Sequence, residues 1–128
     1  HAQPTPALVE PFVDIRDRLT RSAEFPRWAQ VAALTYEMIY QQPVREDFPK
    51  IARPTLLVIG QTDRTAVGKA YAPPAIRKTL GDYPALGKAA AADIPGAKLV
   101  ELENVGHIPH LEAPDRFHEA LRQFLAGK

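Results

Sequence analysis

Residues 55–59 read Thr-Leu-Leu-Val-Ile and end on Gly60, so the segment has no polar face. A strand of that kind belongs in the middle of a parallel sheet, covered by helices on both sides. A second apolar run, 98–102, follows the Pro95-Gly96 turn, and a helical pattern occupies the interval between the two runs. Beyond it, a helix starting near Pro114 sets Phe117, Ala120, Leu121, Phe124 and Leu125 on one face. The order strand, helix, strand, helix specifies an α/β protein with a right-handed crossover.

The rest of the chain is punctuated by proline, present 13 times, about twice average usage. Pro4, Pro6 and Pro11 predict a loop over residues 1–11. Trp28, Val31, Ala32, Leu34 or Thr35, Met38 and Ile39 recur at helical spacing within 25–40, until Pro43 and Pro49 end the pattern. Residues 72–81 predict a short helix with proline in its first turn and Gly81 past its end, and Asp82 is placed to cap a second helix through Ala92. Helical spacing gives way to the α/β alternation near 49–54, which divides the chain into segments 1–48 and 49–128.

Composition narrows the function classes. An apolar share of 45% and a charged share of 24% describe an ordinary globular chain of 128 residues. The net charge of +1, with basic residues scattered, gives no electrostatic footing for nucleic acid. No stretch approaches the roughly 18 apolar residues of a membrane span, and the first residues lack the pattern of a signal peptide. The absence of cysteine excludes disulfides, thiolate metal sites and a cysteine nucleophile. It carries no information on compartment. Because the chain opens on His1 and not Met, His1 is read as a remnant, the natural start lying elsewhere.

Two residues stand where chemistry is done in α/β proteins, just past the carboxyl ends of the strands. Asp63 lies three residues beyond Gly60, and His107 follows the second strand through the turn 103–106. Gly106 allows a sharp turn before the histidine, and Pro109 is expected to keep the segment out of a helix. Taken singly, Asp63 could be a turn aspartate and His107 a loop histidine bonded to a carbonyl. Taken together they can be the acid and the base of an acyl-transfer triad, with the acid holding the imidazole's tautomer. The nucleophile is missing. Ser22 is the chain's one serine, and without glycines two residues away on either side it cannot form the G-x-S-x-G turn. His107, His110 and Glu112 also suggest a metal, but two histidine ligands one helical turn apart would need a helix that Pro109 opposes, so no metal and no cofactor is expected. Arg64 reads as a loop brace, His110 as a loop residue near the pocket mouth, and His118 as solvated. Trp28, Tyr36, Met38, Ile39 and Tyr40 form a stripe that packs a helix and, in a lid, would also line an apolar pocket.

Residues 54–66, 95–100 and 105–112 resemble the C-terminal portion of an α/β-hydrolase fold protein. The insertion over 67–88 is similar to a bacterial branch of that family, and 38–44 resembles the exit from its cap domain. The resemblance runs from about Trp28 to Leu125. It implies Asp63 as triad acid and His107 as base, beside the end of a helical cap; from the stripe and the loop, Trp28, Met38, Ile39 and His110 are the residues expected to bind substrate. It also implies that the nucleophile elbow and the oxyanion-hole loop belong to a missing N-terminal part of the same fold, the chain's expected partner besides a small-molecule substrate. A serine-dependent esterase acting on a small ester is the reaction the resemblance favours. A dehalogenase or epoxide hydrolase of the same fold, or a non-catalytic α/β binding module, stays open.

Overall fold

The structure, a computed structural model, describes residues 6–127. It divides into two units, the first ending at Glu46 and the second starting at Asp47.

The first unit is a helical hairpin of α1 (Pro6–Arg21) and α2 (Phe25–Gln41). The loop expected over 1–11 does not hold from Pro6 onward, where α1 begins with Pro11 in its interior; residues 1–5 lie outside the described residues. Proline at position 11 removes one backbone hydrogen bond and crowds the preceding turn. Contacts C-terminal to Pro11 recover part of that cost. The ion pairs Asp14–Arg18 at 2.7 Å and Asp17–Arg21 at 2.9 Å are each one turn apart, and the Arg16 guanidinium lies 4.1 Å from the Trp28 ring centroid on α2. Ser22 sits between the helices, its hydroxyl donating to the Leu19 carbonyl at 2.8 Å. Met38 and Ile39 are exposed on α2, as are Phe12 and Val13 on α1.

The second unit is built on two parallel strands, β1 (Leu56–Gly60) and β2 (Lys98–Leu102), paired from Leu56 with Lys98 to Gly60 with Leu102. Between them run a turn at Lys69–Tyr71, α3 (Pro74–Arg77) and α4 (Tyr83–Asp93); after them come α5 (Pro109–Glu112) and α6 (Pro114–Ala126). Alternate side chains of a strand face opposite sides, and each side here has its helix. Ile59 lies directly against Gly87 of α4, and Glu101, level with Ile59, pairs with Lys88 of α4 at 3.4 Å. On the opposite side, Val100 and Leu102 share a groove with Ala120 of α6, and the Lys98 ammonium sits 5.8 Å from the Phe124 ring centroid. The buried apolar residues Ile94, Leu102, Val105 and Ala120 mark where the sheet meets these elements. A Cβ on Gly87 would come within 2.7 Å of Ile59 Cγ1, so glycine, at a cost of about 1 kcal/mol in a helix interior, lets α4 settle onto the strand.

Two local expectations are corrected. Asp82 occupies the position before α4 but its side chain caps nothing; its carboxylate instead faces Arg64 at 3.7 Å. Pro109 does not keep its segment out of a helix: it starts α5, at the first helical turn, where the amide hydrogen it lacks has no intrahelical partner to lose. Along α6 the predicted face holds for Phe117, Ala120, Leu121 and Phe124, which are buried or half-buried, while Leu125 is exposed.

Gly60 decides how close the two strand-end loops come. A Cβ there would stand 2.0 Å from the Gly106 carbonyl oxygen and 2.5 Å from that of Val105, both backbone atoms with no rotamer to yield. Gly60→Ala is therefore expected to destabilise the fold by about 3 kcal/mol or more, read as a lowered urea midpoint. An unchanged midpoint would show that the loops are not held at this distance.

Candidate functional site

The site forms where the loops after β1 and β2 are laced together. The Gln61 amide donates to the Leu102 carbonyl at 3.0 Å, and the Thr62 amide and hydroxyl both donate to the Val105 carbonyl, at 2.9 and 2.8 Å. Asp63 closes a turn back onto the Gly60 carbonyl at 3.2 Å. That lacing buries Asp63 to 5% exposure, the only buried polar or charged residue among those described.

The Asp63 carboxylate is fully engaged. Its Oδ1 accepts from the Thr65 amide at 2.9 Å and from the Thr65 hydroxyl at 2.8 Å, and its Oδ2 lies 2.8 Å from His107 Nδ1. The Thr65 hydroxyl oxygen is also 2.9 Å from His107 Nδ1. These contacts are mutually consistent in one arrangement: the Thr65 hydroxyl proton points at Asp63, so its lone pair faces Nδ1, and Nδ1 carries the hydrogen. Nε2 is then the nitrogen with a free lone pair.

Burial by itself pushes the Asp63 carboxyl up, but the hydrogen bonds from His107 and from the Thr65 amide and hydroxyl, with the attraction of His107, outweigh it and hold the group below the usual carboxylate range. A depressed acid stabilises the fold at pH values above its unfolded value, about 3.9, and loses that contribution as pH falls through its native value. Acidification below about pH 4 is thus expected to destabilise the wild type more steeply than Asp63→Asn, which cannot titrate there. Parallel slopes in urea titrations from pH 6 to pH 2 would contradict the assignment of this shift to Asp63.

The imidazole itself is half-exposed. It forms one wall of a cavity of about 300 Å³ completed by Thr65, Ala66, Val67 and Tyr83, with the Tyr83 ring edge-on to it at 5.7 Å between centroids. Arg64 braces the loop as expected, donating to the Asp63 carbonyl at 2.6 Å. His110 lies on α5, its ring 5.9 Å from that of Phe117, and is not among the residues lining the cavity. Glu112 is turned onto backbone amides, so His107, His110 and Glu112 do not converge as a ligand set. His118 is exposed on α6. Trp28, Met38 and Ile39 lie on α2 in the other unit. Among the described residues no helix is long and apolar enough to cross a membrane.

Sequence reasoning did not single out Thr65, Tyr83 or the orientation of Glu112. A hydroxyl two residues after the acid was visible, yet nothing local says that it reaches a histidine 42 residues away.

A buried acid bonded to an imidazole, both just past the carboxyl ends of adjacent parallel strands, defines an α/β protein with an acid–base pair at the usual position of α/β active sites. The model of the alpha/beta hydrolase family matches residues 2–120, and the chain belongs to that family. It is 31% identical over 114 residues to a pimeloyl-[acyl-carrier protein] methyl ester esterase of Xanthomonas axonopodis pv. citri (strain 306), covering 88% of this chain and 38% of that protein. A probable hydrolytic enzyme from Pseudomonas aeruginosa PAO1 is 50% identical, with a TM-score of 0.70 over 73% of this chain and 30% of its own. A predicted CIB-like hydrolase from Thermoplasma acidophilum is 28% identical, with a TM-score of 0.51 over 68% of this chain and 34% of its own. The chain thus spans between 30% and 38% of the length of these relatives.

Proposed function

We propose that this chain carries the acid and the base of a serine-dependent esterase of the α/β-hydrolase fold, acting on a small carboxylic ester, with the nucleophile on a segment outside this sequence. The observation that carries the reading is the 2.8 Å contact of Asp63 Oδ2 with His107 Nδ1, which leaves Nε2 free to take a proton at a half-exposed ring face. The relative that is a methyl ester esterase supports the ester as substrate class.

In this reading the serine oxygen attacks the ester carbonyl as its proton passes to His107 Nε2, and Asp63 stabilises the imidazolium. The proton then goes to the departing alkoxide, which leaves as the alcohol. Water repeats both steps on the acyl enzyme, its proton passing through the same nitrogen and back to the serine.

The chain alone, without a nucleophile, is expected to show no turnover of p-nitrophenyl butyrate, while the full-length protein carrying this segment hydrolyses it. Saturable turnover by the isolated chain, lost in His107→Ala, would overturn the need for an outside nucleophile. An aspartate at the elbow position of the full-length protein would redirect the reading to a dehalogenase or epoxide hydrolase.

A further inference from the structure

Glu112 uses both of its carboxylate oxygens on the loop that presents His107. Oε2 accepts from the Gly106 amide at 2.7 Å and Oε1 from the Ile108 amide at 3.0 Å, so one side chain holds the peptide units on either side of the histidine. The grip is closed from the other direction as well, because the Glu112 amide donates to the Ile108 carbonyl at 2.9 Å. Gly106 leaves room for it: a Cβ at that position would lie 3.0 Å from each carboxylate oxygen. The loop belongs to neither strand nor helix, and amides in irregular backbone need some acceptor. A carboxylate provides two at once, in charge-assisted bonds about twice as strong as neutral ones.

We propose that Glu112 is a positioning residue for His107: it fixes the backbone on both sides of the ring, and so the direction of Nε2, without touching substrate. This rests on the reading of His107 as the base. It accounts for a half-buried carboxylate six residues past Gly106 that makes no ion pair among the described residues and faces only amides.

The test uses the full-length protein carrying this segment, with p-nitrophenyl butyrate as substrate and amide hydrogen exchange as a second readout. Glutamine keeps the shape but offers one oxygen, so one of the two amides would face an NH2 group; alanine offers none. Glu112→Gln is expected to lower kcat about tenfold and Glu112→Ala about a hundredfold, each with KM within about twofold of wild type. Exchange at the Gly106 and Ile108 amides should quicken in both variants. Formate, which fits the space left in Glu112→Ala and supplies two oxygens, should restore part of its kcat. The proposal is overturned by wild-type kcat in both folded variants, by a loss of kcat that follows lowered Tm and resists formate, or by unchanged exchange at the two amides. Full activity in His107→Ala would sink the base assignment separately, since the amide exchange reports on the Glu112 grip whatever His107 does.

Discussion

His107→Ala in the full-length protein is expected to lower kcat for ester hydrolysis by about five to six orders of magnitude, because base and nucleophile act as a unit and removing either removes nearly all of their joint effect. The fold should survive. His107 is half-exposed and its ring contacts are Asp63, Thr65 and Tyr83, so truncation opens no buried apolar cavity. The loss is therefore expected with Tm within a few degrees of wild type, and KM little altered. A variant with more than about a tenth of wild-type kcat would show that another group takes the proton, and the proposed function would need a different base.

The second large effect is expected at Asp63. In Asp63→Asn the Thr65 amide and hydroxyl, both donors to Oδ1, would hold the asparagine oxygen at that position and leave the NH2 group where Oδ2 now meets His107 Nδ1. A donor facing Nδ1 favours the tautomer with its hydrogen on Nε2, the nitrogen that must accept a proton. The expected cost is about four orders of magnitude in kcat. Asp82→Asn serves as a control, since that carboxylate faces Arg64 at 3.7 Å and half of its surface is in solvent; its effect should stay within about threefold. Near wild-type rates in Asp63→Asn together with a large loss in Asp82→Asn or Asp93→Asn would transfer the acid's role to one of those residues.

Several features of the fold were legible before any coordinates. The unbroken apolar run at 56–59, the Pro95-Gly96 turn and the spacing of Phe117, Ala120, Leu121 and Phe124 are periodic or punctuating signals, and they place β1, β2 and α6 within a residue or two. The signals misled where proline was read only as a breaker. Pro109 opens α5, where the amide hydrogen it lacks has no intrahelical partner to lose, whereas Pro11 lies inside α1 and does lose a bond, a cost that the contacts farther along α1 recover only in part. Asp82 illustrates the converse: its position before a helix was legible, but the choice between capping and pairing with Arg64 rests on a residue 18 positions away in sequence.

The candidate site divides along the same line. Asp63 and His107 can be named from the sequence because each follows a strand, and a strand is a local pattern. Their 2.8 Å contact and the hydroxyl of Thr65 between them exist only once Gly60 has let the two strand-end loops close to backbone contact, while the grip of Glu112 on the Gly106 and Ile108 amides spans four to six residues but follows no periodic pattern. The sequence by itself determined which elements form and which residues stand at their ends, since periodicity and turn chemistry act over a few residues. The tertiary structure alone decided which side chains meet, since hydrogen bonds across 42 to 44 residues depend on strand register and loop approach that no local pattern encodes.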